Sequence, residues 1–571
     1  MVASMTDHTE RSHPSTGNVS DGTTGPTSRR RFIGIIGAGT AAAVAVPGIA
    51  AAQTDEDDTP QPTRDRGGRG GRRRDGGGNR RPGDGDGEGN ADGDPQPNRA
   101  DGPDRFTRLF DLPSFARPSQ ELREALVELG RPGGIMDAND PLEVGPIRLL
   151  TEPELSPDNR DNPTNTAGAT FMGQFLDHDI TRDAGSRLGR VTPARRSVNL
   201  RSARFDLDSV YGGGPDESPE MYDGFRLRIG SGGQFEDLLR DDEGVAMIAD
   251  PRNDENLMIA GLQCGFIMFH NAVLDDISGR VPTADDFAAA QRIVRHHYQW
   301  IIVNEILPQF VGQAMVDDIV QNGRQVYRPA VTRIPFEFQT SAYRFGHSQI
   351  RPSYRANLAG DNGEPFFAFV FDPDTFGDDD PNDLSGHATG PRRFIGWQTF
   401  FDFGDGEVRN NKRIDTKMST PLFQLPMFSI PTVRGEEIGP TSLATRNLLR
   451  HITWEVPSGQ RVADEMNVDR LSAADLSDVG QLGANLDSST PLFFYILREA
   501  DVIADGLHLG PVGGRIVGEV FMGLLENDPD SYLNVDGWRP TLPQRDGSTG
   551  TDFTMADLLT IAGVDPDSRG Q

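Results

Sequence analysis

From about residue 106 onward, apolar side chains recur at helical spacing along most of the chain. That pattern predicts a mainly α-helical fold. The clearest runs are 119–129 (SQELREALVEL), 168–180, 256–278, 284–321, 440–451 and 490–504. Alternation of period two is rare and short, so little β structure is expected. The 41 prolines and 66 glycines punctuate long connections between the helices. The expected architecture is one large helical domain over 105–571 with long irregular loops. A domain of that size exceeds a typical single core, so either two lobes share an interface or a large cofactor fills the centre. No internal repeat is visible.

Ahead of this domain the pattern vanishes. Residues 53–104 are Gly, Asp, Arg, Pro and Asn with scarcely an apolar side chain. They cannot bury enough surface to offset chain entropy and are expected to form a disordered linker. Residues 1–52 carry Arg29-Arg30-Arg31 followed by a Gly- and Ala-rich apolar stretch ending at Ala52, the layout of a twin-arginine signal peptide. Export by that route points to a secreted protein that folds around a cofactor before crossing, and to a membrane tether only if the signal stays uncut. No stable membrane span is expected after cleavage.

Composition narrows the partners. The formal charge is -30, from 86 acidic and 56 basic residues, and Lys412 and Lys417 are the only lysines. So negative a chain repels nucleic acid. An acidic surface nearly free of lysine suits concentrated salt, where repulsion is screened over about 3 Å at 1 M. The single cysteine, Cys264, lies in an apolar run, reads as a buried thiol and excludes an internal disulfide framework.

The most informative string is Gly173-Gln174-Phe175-Leu176-Asp177-His178-Asp179. On a helix Gln174, Asp177 and His178 share one face while Asp179 turns about 100° away. A D-H-D triplet by itself is more often a solvated feature, but here Phe171, Met172, Phe175, Leu176 and Ile180 surround it, and buried charge needs a partner or a metal. Downstream, Ser202, Asp206 and Asp208 offer hard oxygen ligands of the kind calcium prefers; alone such a loop is usually a turn. Arg252 and Glu255 stand three apart at a helix start, which unaided reads as a surface feature suited to the dipole. Arg344 and His347 occupy a helical-looking stretch, where a lone histidine is more often a core residue.

Together and in this order, GQFLDHD, the loop ending in Val210-Tyr211-Gly212, R-x-x-E at 252–255, R-x-G-H at 344–347 and Asn447 in LATRNLLR resemble the animal-type haem peroxidases. This is the peroxidase–cyclooxygenase superfamily that includes the myeloperoxidase, lactoperoxidase and peroxidasin catalytic domains, here in a bacterial or archaeal secreted branch. The likeness spans about 106–545. It implies haem b and calcium as cofactors. His178 would be the distal base, with Gln174 and Arg252 orienting and stabilising peroxide. His347 would bind the haem iron, with Asn447 fixing its orientation and Arg344 meeting a haem propionate. Asp177 and Glu255 would be the carboxylates that can be esterified to haem. Asp179, Ser202, the Arg204 carbonyl, Asp206 and Asp208 would hold calcium. His270 would be a structural core histidine.

The activity implied is a secreted peroxidase that reduces hydrogen peroxide with halides, pseudohalides or phenols, with a part in the response to oxidative stress. Members with Met directly after this Glu form a sulfonium link to haem; Asn256 cannot, which disfavours chloride and leaves bromide, iodide, thiocyanate or phenols. Two alternatives stay open. A fatty-acid dioxygenase needs a radical-forming Tyr three residues before the proximal His, where this chain has Arg344, with Tyr343 one residue too early. A non-catalytic adhesion or matrix protein on the same fold would need none of these residues.

Overall fold

The computed structural model describes residues 105–571 apart from 184, 234, 373–380, 427–429 and 431–438. The twin-arginine segment and the linker at 53–104 lie outside the described residues. Nine helices of eight residues or more organise the rest: α1 Gln120–Gly130, α2 Ala167–Ile180, α3 Leu257–Ile277, α4 Ala284–Ile301, α5 Gln313–Asn322, α6 Leu443–Thr453, α7 Leu492–Ala504, α8 Pro511–Glu526 and α9 Met555–Ala562. Strand is confined, among the described residues, to four two-stranded antiparallel ribbons: 161–166 with 410–412, 222–223 with 226–227, 230–231 with 236–237, and 353–355 with 367–369. The mainly α expectation therefore holds.

Local chemistry explains the boundaries. Ser119 caps α1 by accepting from the Leu122 amide at 3.0 Å, Thr166 caps α2 through the Ala169 amide at 3.3 Å, and Asn256 caps α3 through the Ile259 amide at 3.0 Å. Each satisfies an amide that the helix leaves unpaired. The run expected as one helix over 284–321 is broken. α4 passes through a π turn at Ile302–Ile306 and a short helix Leu307–Val311, and Gly312, at φ 78°, separates that from α5. A positive φ is cheap only for glycine, so the chain turns there. The starts expected at 440 and 490 shift to Leu443 and Leu492, because Ser442 supplies the cap of α6 and Pro491 precedes α7.

The helices pack around one continuous apolar core, with a small satellite at Leu238, Ala260 and Cys264. α3 packs on α2, α4 and α9, α1 on α6, and α7 on α6 and α8. Of the fourteen residues of α2 only Gln174 is not buried, and Phe175 stacks on Phe266 of α3 with ring centroids 4.8 Å apart. α3 is the one described helix long and apolar enough to cross a membrane, and 78% of its apolar window is covered by the protein itself. Both lysines turn inward: Lys412 Nζ donates to Asp415 Oδ1 at 2.7 Å and to the Lys417 carbonyl at 2.9 Å, and Lys417 Nζ donates to the Asp137 carbonyl at 3.2 Å. Lysine is thus kept only where a compact ammonium fits among carbonyls.

Glu499 of α7 is fully buried and accepts from the Val512 and Gly513 amides, at 3.0 and 3.2 Å, which open α8. Burial pushes its carboxyl up to about 7 against the pull of those amides. The folded state therefore keeps this proton to higher pH than the unfolded chain, whose carboxyl titrates near ~4.3. The stability it contributes is complete below the unfolded value and declines as pH rises toward 7. Glu499→Gln is expected to flatten that decline in melting temperature against pH; an unchanged slope would contradict the assignment.

Candidate functional site

The C-terminal turn of α2 carries Asp177, His178 and Asp179, all buried. The 3-10 turn Pro251–Asp254 that leads into α3 faces it. Asp250 caps that turn by accepting from the Arg252 amide at 3.0 Å. The backbone is pinned from the other side by Gly386, whose amide donates to the Glu255 carbonyl at 2.9 Å. A Cβ at residue 386 would sit 1.4 Å from the Asp254 carbonyl oxygen, so this approach requires glycine.

His178 is tethered through Nδ1, which lies 2.8 Å from Asn253 Oδ1. Its Nε2 meets no hydrogen-bond partner among the described residues. Burial, then the nearby Arg252 guanidinium, push its pKa down to about 4, so the ring is neutral at ordinary pH. Gln174 reaches across to the turn: its Nε2 donates to Glu255 Oε2 and its Oε1 accepts from Asn256 Nδ2, both at 3.2 Å. Burial raises the Glu255 carboxyl to about 7, against Arg252. Asp177 behaves oppositely: burial would raise it, but Arg344 and Arg252 outweigh that and hold it low. Arg344 Nη1 is 3.5 Å from Asp177 Oδ2, and Thr181 Oγ1 donates to Asp177 Oδ1 at 2.9 Å.

Arg252 was expected to face an oxidant. Most of its guanidinium is committed elsewhere: Nε and Nη2 bind Asp250 at 3.0 and 2.7 Å, and Nη2 also donates to the carbonyls of His178 and Thr181 at 3.1 and 2.7 Å. Only Nη1 makes no hydrogen bond among the described residues. The arginine thus fastens the end of α2.

The proximal segment is not the helix expected. It is a 3-10 turn Ala342–Arg344 followed by a one-turn helix Gly346–Gln349, after Ser341 leaves the helical region at φ -131°, ψ -73°. The one-turn helix packs on α2. His347 Nδ1 lies 2.8 Å from Asn447 Nδ2 of α6, and its Nε2 is unengaged among the described residues. As drawn, the amide donates to Nδ1; turned by 180° it presents Oδ1 to an Nδ1–H, the tautomer that leaves Nε2 free to bind a metal. Burial, then Arg344, lower the His347 pKa to about 3. Arg344 Nε donates to the Gln339 carbonyl at 2.7 Å. Tyr343 is engaged with the backbone of α2, donating to the Gly173 carbonyl at 3.0 Å, and stacks on Phe338.

Beside α2, carboxylate oxygens of Asp179, Asp206 and Asp208 lie within 4.8 Å of one another. Asp179 points to this side, accepting from the Leu207 amide at 3.1 Å and Tyr298 Oη at 2.9 Å. Ser202 Oγ donates to Asp206 Oδ2 at 2.8 Å. Leu207 sits at φ 62°, a left-handed backbone that a branched side chain adopts only under constraint. Burial, then Asp206, raise Asp179 to about 7, and burial with both neighbours raises Asp208 well above the usual range. Asp208 Oδ1 accepts no hydrogen bond, and Arg201 Nη1 approaches it at 3.7 Å. Three crowded carboxylates with an unfilled oxygen could hold a hard cation. The Arg204 side chain turns outward to Asp528 at 3.3 Å.

Several residues escaped sequence reasoning. Asn253 and Gln263, which tether His178, sit in strings read only for Arg252, Glu255 and the helix. Asp250 and Arg201 join the turn to the acidic loop. Arg450, one helical turn beyond Asn447, has a buried Nε without a hydrogen bond and no carboxylate partner among the described residues. Burial and Arg344 push its guanidinium down to about 9. Half-buried, over the Trp454 ring at 6.0 Å and close to Arg344, this guanidinium adds to the positive charge on the His347 side. His270 is buried in the core with its Nδ1 3.1 Å from Tyr211 Oη.

Residues 182–365 match the family model described as animal haem peroxidase; the stretch contains the acidic loop, Arg252, Glu255, Arg344 and His347 and begins just after His178. The chain is 28% identical over 208 residues to the human "Probable oxidoreductase PXDNL", covering 32% of this chain and 14% of that protein. It is 24% identical over 353 residues to "Peroxidase mlt-7" of Caenorhabditis elegans, covering 58% and 44%. It spans less than half the length of either relative. Peroxidase A from Dictyostelium discoideum shares the fold, with a TM-score of 0.52 at 14% identity over 80% of this chain and 92% of that one.

Asp250→Ala strips two buried guanidinium groups, Arg201 and Arg252, of their shared counter-charge. It is expected to cost about 3–5 kcal/mol in denaturant-induced unfolding; a loss below ~1 kcal/mol, the size of an exposed ion pair, would show that Asp250 does not organise the site.

Proposed function

We propose that this chain, in keeping with the animal haem peroxidase model it matches over 182–365 and with its relatives and fold, binds haem b, with His347 as the iron ligand and His178 on the peroxide side, and reduces hydrogen peroxide with small donors. The observation that supports this most is the pairing of two neutral imidazoles, each tethered through Nδ1 with Nε2 unengaged, and both under the influence of the same carboxylate, Asp177. Bound there, haem would supply an iron open to peroxide on one face and the redox equivalents for cleaving the O–O bond.

The chain's own residues do the rest. His178 Nε2 would take a proton from hydrogen peroxide and return it to the departing oxygen, which leaves as water. Arg252, through Nη1, and Gln174 would stabilise charge on the oxidant. Asn447 holds the His347 ring, and Arg344 with Arg450 receive the propionates. Asp177 and Glu255 would be the carboxylates that can be esterified to haem. Asn256, whose amide caps α3 and meets Gln174, has no thioether sulfur, so no sulfonium link forms after Glu255, and bromide, iodide, thiocyanate or phenols are the favoured donors. Calcium held by Asp179, Ser202, the Arg204 carbonyl, Asp206 and Asp208 would neutralise the acidic cluster and fix the end of α2.

Purified protein is expected to show a Soret band that His347→Ala abolishes and His178→Ala keeps, while His178→Ala slows peroxide turnover about 10²–10⁴-fold. Absence of the band from wild-type protein supplied with haem would remove the proposal. Stripping calcium with a chelator is expected to lower the melting temperature and adding calcium to restore it; no change in either direction would vacate the cation site.

A further inference from the structure

We propose that Asn253 and Gln263 form an amide relay that holds His178 in its Nδ1-protonated tautomer, leaving Nε2 as the basic nitrogen. Asn253 Oδ1 lies 2.8 Å from His178 Nδ1, and Asn253 Nδ2 donates to Gln263 Oε1, also at 2.8 Å. Asn253 and Gln263 have no exposed surface and His178 is 4% exposed, so water does not compete for these bonds. Because Nδ2 is spent on Gln263, the atom presented to the imidazole is an acceptor, and only a ring carrying its proton on Nδ1 satisfies it.

The main chains that carry the two amides are fixed independently of each other. Asn253 sits in the 3-10 turn, its own N–H donating to the Asp250 carbonyl at 2.9 Å, and Gln263 stands on α3. Reversing both amides would hand His178 an N–H instead, move the ring proton to Nε2 and leave nothing there to accept a proton. Gln263 Nε2 has no hydrogen-bond partner, so the relay ends at that residue. Neither amide is placed to touch substrate, and both are positioning residues. The role in catalysis rests on His178 being the proton acceptor for peroxide; the tautomer does not.

Full-length protein labelled with 15N-histidine tests the relay directly, in the diamagnetic ferrous–carbonyl form where haem is bound. The His178 nitrogens, identified by their loss in His178→Gln, are expected to show a protonated Nδ1 and a bare Nε2. Asn253→Val is expected to abolish that preference, and Asn253→Asp, which keeps an acceptor, to retain it. A wild-type ring protonated at Nε2 overturns the proposal. In haem-loaded protein, cyanide association followed by the Soret shift reads the base on the peroxide side: about tenfold or more slower in Asn253→Val and close to wild type in Asn253→Asp. An unchanged rate in Asn253→Val, or equal loss in both variants, also overturns it. Gln263→Leu, expected to give a smaller loss of the same kind, replaces Asn253→Val if that variant does not fold. Protein that takes up no haem would sink the functional reading alone, because the tautomer measurement still decides the relay.

Discussion

Asp250 has no exposed surface, yet it holds Arg201 and Arg252 at the same time. Through Arg252 it reaches the carbonyls at the end of α2, and through Arg201 it reaches Asp208 in the acidic loop. Burial alone would raise its pKa; Arg252 outweighs that, with Arg201 adding to it, so it stays ionised. Three separate stretches of chain, around residues 178, 204 and 252, therefore share one counter-charge. A buried carboxylate of this kind contributes little net attraction once desolvation is counted, but removing it strands two cations. The geometry of the site depends on that asymmetry more than on any apolar contact.

Burial and a neighbouring guanidinium act alike on the two imidazoles, keeping His178 and His347 neutral. A neutral ring has one lone pair, and the Nδ1 partner decides where it points. Both partners are amides, Asn253 and Asn447, which fix orientation without adding charge, as a carboxylate would. The acidic loop shows the contrary regime: Asp179, Asp206 and Asp208 crowd together and their pKa values rise. Asp179 follows His178 directly, so helix rotation alone separates a pocket that suppresses protonation from one that favours it.

Much of this was legible beforehand because it is written in local chemistry. Helical periodicity and capping residues mark α1, α2 and α3 to within a residue or so, and helix geometry sent Asp179 away from the His178 face. Where local rules compete, the reading slipped: Gly312 and Pro308 divide the run after residue 284, and Ser341 ends the helix that would have carried Arg344 and His347. Arg252 was read for the oxidant alone, whereas its Nε and Nη2 are held by a carboxylate two residues upstream and Nη2 clamps carbonyls more than 70 residues away.

The sequence by itself determined which stretches are helices, which residue types could bind a metal or move a proton, and that Asn256 could form no sulfonium link. These follow from spacing and from side-chain chemistry, which are properties of short segments. Tertiary structure alone decided that Asn253 and Gln263 serve His178, that Asp250 joins two arginines, that Arg450 lies half-buried with no carboxylate partner among the described residues, and that both lysines turn inward. Each of these is a pairing between distant parts of the chain or a degree of burial. Neither is encoded at any single position, because both arise only when the packed core excludes water and forces the remaining polar groups to find one another.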